Sequence, residues 1–194
     1  MCGADNGIVV GVVTSLKDDE GLGRVRVRYP QLEDQESEMA RMATVMAGPD
    51  RGSFFLPEPG DEVLVAFECG NPRRPYIVGC LWNKVDQPPP GDGDQEANNH
   101  RFIRSRSGAI IRFDDKPGAE KIELIDKDGR HSVVFDSAAA RIDVTSSRGH
   151  VAVSSPQGKV TVEAPTVDVH ATGEMTLRAD GKLTIRGSTV EINP

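Results

Sequence analysis

The chain has 194 residues, 27 % charged and 5 % aromatic, with a formal net charge of −7. The charge is uneven: residues 1–99 hold 17 acidic and 9 basic side chains, residues 100–194 hold 13 and 14. This lacks the basic stripe that grips phosphates, so no nucleic-acid partner is expected, and no run approaches the ~20 apolar residues of a membrane span.

The N-terminus lacks the basic and apolar regions of a secretory signal, which predicts cytoplasmic synthesis without a signal peptide. The three cysteines, Cys2, Cys69 and Cys80, form neither a metal spacing nor an even disulfide set. Cys69 and Cys80 fall in apolar β segments and read as small hydrophobes with a structural role.

Residues 1–86 form the first domain. Apolar β-rich segments run at Ile8–Leu16, Val25–Tyr29, Ala43–Ala47, Glu62–Glu68 and Tyr76–Trp82, separated by turn signals at Asp18–Gly23, Pro49–Gly52, Pro57–Gly60 and Gly70–Pro75. Five strands at this spacing predict a small closed barrel of the oligonucleotide/oligosaccharide-binding (OB) type. The best helix candidate, Ser37–Ala47, is broken by Thr44, Val45 and the following Gly48, so the chain reads as all-β. Base-stacking candidates are few: Tyr29, Phe54, Phe55, Phe67, Tyr76 and Trp82, and packing within the barrel is the expected role of these rings. Gly21-Leu-Gly23 lacks the third glycine of a dinucleotide loop and reads as a hairpin turn.

Residues 87–99 carry no apolar pattern. Three prolines, two glycines and three acids predict an extended, solvated linker that sets a domain boundary.

Residues 100–194 repeat one phrase ten times: two apolar residues separated by one, then a polar or glycine-containing gap. The pairs are Ile111/Phe113, Ile122/Leu124, Val133/Phe135, Ile142/Val144, Val151/Val153, Val160/Val162, Val167/Val169, Met175/Leu177, Leu183/Ile185 and Val190/Ile192, beginning 11, 11, 9, 9, 9, 7, 8, 8 and 7 residues apart. Strand side chains alternate with period two, so each pair turns towards a core while Arg112, Glu123, Asp143, Thr161, Asp168, Thr184 or Glu191 turns to water. No one-strand unit can bury its apolar side alone. A single-chain solenoid would close only about three coils. The favoured reading is an intertwined homotrimer, a triple-stranded β-helix on the order of 50 Å long with the twenty pair residues as its core.

Chemistry-bearing constellations are weak. Asp126-Lys-Asp-Gly129 lacks the third acid and distant glutamate of a calcium loop. His100, His131, His150 and His170 are widely separated, and adjacent Asp114 and Asp115 point to opposite faces of a strand. No nucleophile arrangement is present, and no catalytic, cofactor or metal site is expected.

Val63-Leu-Val-Ala-Phe-Glu-Cys-Gly-Asn-Pro-Arg-Arg-Pro-Tyr-Ile-Val-Gly-Cys-Leu-Trp-Asn83, followed by a proline-rich break, resembles the barrel of phage baseplate assembly protein V and of the valine-glycine-repeat spike proteins of type VI secretion. Ile103-Arg-Ser-Arg-Ser-Gly-Ala-Ile-Ile-Arg-Phe-Asp-Asp-Lys-Pro-Gly-Ala-Glu-Lys-Ile-Glu-Leu124 is similar to the opening of the spike in the same proteins. The resemblance implies a non-enzymatic, homotrimeric central spike of a contractile phage tail or phage-tail-like particle. Its barrels would dock on a separate hub protein, and sheath contraction would push it through a target membrane. No hub-like region precedes Ile8, no lysozyme-like insert separates barrel from rod, and no histidine-x-histidine pair precedes Pro194. A separate hub, a phage-type particle and a small conical tip protein over the rod end are therefore expected. The alternative is a carbohydrate-binding or carbohydrate-degrading tail-spike module built on a β-helix.

Overall fold

A computed structural model describes residues 7–91, 93–94 and 96–192. The chain divides into two compact units, Met1–Ser147 and Arg148–Pro194. Cys2 and the terminal Asn193 and Pro194 lie outside the described residues.

The first unit opens with eight strands: β1 (Ile8–Ser15), β2 (Arg26–Tyr29), β3 (Gln35–Glu36), β4 (Arg41–Met42), β5 (Ala47–Gly48), β6 (Arg51–Gly52), β7 (Glu62–Phe67) and β8 (Pro75–Leu81). Six of them form one sheet in the order β3-β2-β1-β7-β8-β4, all antiparallel neighbours except the parallel pair β8 and β4. An antiparallel bridge between Val25 and Ala40 joins the segments leading into β2 and β4, returning the end of the sheet to its beginning. The sheet therefore closes as a small barrel, and closure removes the exposed edges. Register shifts between Val13 and Ser15 and between Leu64 and Val65 bend the long strands round it.

Alternation along β2 and β7 sends Val27, Tyr29, Val63, Val65 and Phe67 inward, where they meet Val13, Val25, Ala40 and Ile77. The Tyr29 and Phe67 rings meet edge to face, centroids 5.6 Å apart. Gly11 lets β1 cross this core closely, since a Cβ there would lie 3.3 Å from side-chain atoms of Val27 and Val65.

Two local expectations change. In place of a strand at Ala43–Ala47, backbone groups are taken up locally: Thr44 Oγ1 donates to the Ser53 carbonyl at 2.6 Å and Ser53 N–H to the Met46 carbonyl at 3.0 Å. That loop carries the hairpin β5–β6 instead. Cys69 sits in a short 3-10 turn, Glu68–Gly70, with φ 50°, and both Cys69 and Cys80 are exposed, so neither joins the buried core.

Five further strands complete the first unit: β9 (His100–Arg104), β10 (Ile110–Asp114), β11 (Lys121–Ile125), β12 (His131–Asp136) and β13 (Arg141–Ser146). They form an antiparallel meander in chain order. The turn between β9 and β10 reaches the barrel through Arg106, whose Nη1 lies 2.9 Å from both carboxylate oxygens of Glu58.

In the second unit, the described residues 148–192 contain no strand and no helix. The pair residues of this stretch, expected as core, are exposed in the single chain: Val151, Val153, Val160, Val162, Val167, Val169, Met175, Leu177, Leu183, Ile185, Val190 and Ile192 range from 50 to 78 %. The second member of each pair is the more exposed, with Val153 at 77 %, Val162 at 73 %, Leu177 at 66 % and Ile185 at 62 %. The physical reason is that a side chain is buried only against an opposing wall, and without strand pairing these segments make no sheet that could fold back over them. One chain by itself therefore makes no core at these positions. With the barrel and the meander as its ordered elements, the chain is all-β.

Candidate functional site

The meander register brings the predicted pairs into two rows. Ile103, Ile111, Leu124, Val133 and Val144 stand opposite one another across β9 to β13, and Phe113, Ile122, Phe135 and Ile142 do so one step along. Directly opposed residues in an antiparallel sheet share a face. The eight pair members between Ile111 and Val144 therefore lie on one side with Ile103. Ile103 belongs to no apolar pair, because the position two residues before it is Arg101, opposite Phe113; only the register reveals it.

The opposite face mixes paired charges with apolar side chains: Ile110 stands opposite Ile125, and Phe102, Arg112, Glu123 and Val134 share one row. Arg112 Nε meets Glu123 Oε2 at 2.5 Å, and this pair holds the guanidinium pKa above its ordinary value against the opposing effect of burial. His100, Asp114, Lys121, Asp136 and Arg141 form one row, in which Asp114, Lys121, Asp136 and Arg141 alternate in sign; Nε2 of His100 lies 3.5 Å from Asp114 and Nζ of Lys121 3.4 Å from Asp136. The N–H of Ala139, 2.8 Å from Asp136, holds that carboxyl below its usual range; burial opposes it and Lys121 adds to it.

The face that carries Phe102, Ile110, Ile125 and Val134 with the paired charges is the less exposed of the two. The Glu123 side chain is 12 % exposed, whereas Ile111, Phe113, Ile122, Leu124 and Phe135 are 42–49 % exposed, and Ile142 and Val144 on the last strand reach 64 and 62 %. A soluble sheet turns its apolar face to a core and its polar face to water. Here the pair residues share a face as expected, but among the described residues nothing shields that face from water. The pairs beyond Ser147 continue the pattern in sequence and are exposed as well.

The barrel carries a second apolar surface. Leu22 before β2, Met46 between β4 and β5, and Phe54 and Phe55 after β6 line a groove of about 650 Å³. Phe54 is 77 % and Trp82 71 % exposed, so the expectation that these rings fill the barrel holds only for Tyr29 and Phe67; Tyr76 stacks under Arg41 at 5.6 Å. Turn chemistry accounts for the remaining polar candidates. Asp126 accepts N–H bonds from Arg130 at 2.7 Å and His131 at 3.1 Å, and Asp18 closes the loop containing Gly21 and Gly23 by accepting from the N–H groups of Glu20, Leu22 and Arg24. Among the described residues no three His, Cys, Asp or Glu side chains converge as metal ligands, and no helix is long and apolar enough to cross a membrane.

Comparison with known proteins agrees with this geometry. The family model of the type VI secretion system/phage-baseplate injector OB domain matches residues 9–82. The type VI secretion system spike protein VgrG1a of Pseudomonas aeruginosa is 29 % identical over 151 residues, 72 % of this chain and 24 % of that protein. VgrG1c of the same organism is 31 % identical over 131 residues, 62 % of this chain and 18 % of that protein. The actin cross-linking toxin VgrG1 of Vibrio cholerae is 26 % identical over 180 residues, 88 % of this chain and 15 % of that protein. The chain thus spans about a quarter or less of the length of these relatives. Residues 9–82 match the injector OB domain, and the chain is similar over a longer stretch to type VI secretion spike proteins.

Proposed function

We propose that the chain is the central spike of a contractile injection particle, working as a homotrimer whose three apolar faces close on one axis. One observation carries the reading: two rows made wholly of apolar side chains stand in register on one face of the sheet, one across five strands and one across four, and are about half exposed at most positions in one chain. Burying a whole aliphatic side chain is worth ~1.5–3 kcal/mol at ~25 cal/mol/Å², or roughly 60–120 Å². Half of that for nine side chains is on the order of 400 Å², which reaches the ~300–600 Å² of the largest apolar patch on a typical monomer. The twelve pair members from Val151 to Ile192 are exposed in the second unit as well. Such a surface needs a partner, and three identical chains supply every wall of a rod at each level.

The twenty pair residues, from Ile111 to Ile192, form the trimer core in this reading. Positions such as Val153, Val162, Leu177 and Ile185, exposed in one chain, gain their opposing wall from the other two. The work is mechanical: a stiff, narrow rod transmits force, and no bond has to be made or broken. The barrels dock on a separate hub protein, a small conical protein covers the far end of the rod, and firing drives the assembly through a target membrane. The injector OB match and the spike proteins among the relatives support this assignment.

The test is the mass of the full chain by sedimentation equilibrium. A species three times 20.9 kDa is expected across a hundredfold range of concentration. A chain that stays monomeric throughout that range overturns the reading.

A further inference from the structure

The two stretches of the apolar repeat differ in how much of their own structure one chain can make. Where the pairs begin 11, 11 and 9 residues apart, from Ile111 to Ile142, there is room for strands of five or six residues with turns between them, and β10 to β13 pair with each other inside the chain. Where the steps shorten to 7 or 8, from Val160 onward, three or four residues remain for a strand once a reversing turn is made. A hairpin of strands that short is marginal by itself, as β5–β6 is beside the barrel, and further pairing from other chains would stabilise it. The backbone changes before the steps shorten: β13 ends at Ser146 and no strand forms among the described residues after Ser147, although the steps to Val151 and Val160 are still 9 residues.

This difference sets an order of assembly. The meander exists before association, because its ladder is complete within one chain and its charged rows, Arg112 with Glu123 and Lys121 with Asp136, already fix its register. Three such sheets have only to bring preformed apolar faces together. Residues 148–192 would have to order their backbone, find register and associate in one step, at an entropic cost of ordering that a packed neighbour lowers. A strand that slips by one residue turns its apolar pair outward, and a repeat of near-identical pairs offers many slipped registers. Alignment of the distal pairs must therefore come from outside residues 148–192.

We infer that the apolar face of β9–β13 is the first contact surface between copies of this chain and the register-setting collar of the rod, on which residues 148–192 order afterwards. The occupant of that face is the same face of two further copies. The inference rests on the trimeric reading above, and adds that the two halves of the repeat are not equivalent: the collar is required for association, the distal strands only for extending the rod.

The experiment uses the full chain and three substitutions, each adding one carboxylate. Leu124→Asp lies in the middle row of the middle strand, opposite Ile111 and Val133. Val169→Asp lies in the distal repeat. Thr145→Asp lies on β13, where Thr145 stands opposite Ser132 on the face away from Leu124, and controls for loss of the sheet itself. Sedimentation reads the mass and amide hydrogen exchange reads order along the chain. Leu124→Asp is expected to be monomeric, with barrel amides still protected and those of residues 151–192 exchanging at least a hundredfold faster than in the unaltered chain. Val169→Asp is expected to remain trimeric, with protection kept over residues 100–146 and lost only around and beyond the substitution. Thr145→Asp is expected to match the unaltered chain. If Val169→Asp dissociates the protein as completely as Leu124→Asp, or Leu124→Asp leaves the trimer intact, the collar assignment is wrong while the trimer stands. If the unaltered chain is itself monomeric, the trimeric reading falls and the collar with it.

Discussion

Arg112 and Glu123 face each other across β10 and β11, Nε to Oε2 at 2.5 Å, one residue along from Ile111 and Leu124, which face each other on the opposite side of the same two strands. A single register thus matches Arg112 with Glu123, Asp114 with Lys121 and Ile110 with Ile125 on one face, and apolar with apolar throughout on the other. A one-residue slip would set Arg112 against Leu124 or Ile122 and turn the apolar rows to the wrong side.

That relationship predicts a measurable coupling. The Arg112 and Glu123 side chains are 25 % and 12 % exposed, so their attraction is less screened than that of a surface pair. A double-mutant cycle of Arg112→Ala and Glu123→Ala, followed by chemical unfolding of the meander, is expected to give a favourable interaction of ~0.5–1.5 kcal/mol. The same cycle on Arg178 and Asp180, 84 % and 92 % exposed, is expected to give nothing measurable. Equal couplings would contradict the buried ladder.

The barrel separates rings and chains that carry stability from those that do not. Ile77 is fully buried and its replacement by alanine leaves a cavity among Val13, Val25 and Val65, at an expected cost of ~2–5 kcal/mol. Phe54 is 77 % exposed, so Phe54→Ala is expected to stay within about 0.5 kcal/mol. Denaturant titrations of the two variants check the contrast, and a large loss in Phe54→Ala would place that ring inside the core after all.

Gly52 is the tightest point of the hairpin β5–β6. Its φ is +148°, and a Cβ there would lie 2.5 Å from the Met46 carbonyl oxygen, a backbone atom that cannot swing aside. Gly52→Ala is expected to cost ~1–3 kcal/mol locally and to speed hydrogen exchange at Ser53, which donates to that same carbonyl. Gly79, with nothing within 4 Å of an added Cβ, is the comparison: Gly79→Ala is expected to be neutral or slightly stabilising, by up to ~1 kcal/mol. Ala140 offers the reverse change. It holds φ 49° in the turn between β12 and β13, and Ala140→Gly should relieve part of a ~1–2 kcal/mol left-handed strain.

Much of this was legible from alternation alone. Period two placed Ile111, Phe113, Ile122 and Leu124 on a common side before any register was known, and the runs at Val25–Tyr29 and Glu62–Glu68 lie within a residue of β2 and β7. What the sequence could not supply was contact between segments far apart in the chain. Ile103 joins the apolar row only through its register with Ile111, and Val25 closes the barrel only by bridging to Ala40. Alternation also says which side of a segment is apolar without saying what covers it, which is why Val153, Val162, Leu177 and Ile185 read as core and stand exposed in one chain. Propensity misled at Ala43–Ala47, where β-rich residues form a loop because Thr44 and Ser53 satisfy it locally. It misled again at Phe54, Phe55 and Trp82, since an aromatic residue beside a strand reads as core whichever way it points.

Asp18 supplies the pH dependence of the barrel. Arg24, 2.6 Å away, holds its carboxyl far below the ordinary value of 3.8; burial opposes this, and N–H bonds from Arg24, Leu22 and Glu20 add to it. A depressed carboxyl stabilises the folded state fully where the unfolded chain is also ionised, above its unfolded value. As the pH falls, the unfolded chain takes up its proton first, and the contribution shrinks until the folded carboxyl is protonated as well. Exchange protection at Val25 N–H, which is bonded to the Ala40 carbonyl next to this loop, reports the effect. The ratio of protection between the unaltered chain and Asp18→Asn is expected to be constant from pH 7 to about pH 5 and to fall progressively below about pH 4. Asp19→Asn is the control, because that side chain is 86 % exposed and paired with Lys17 only at 3.9 Å; its ratio should stay near one throughout. A ratio for Asp18→Asn that is flat into acid would mean that the Asp18–Arg24 contact does not hold the loop in solution.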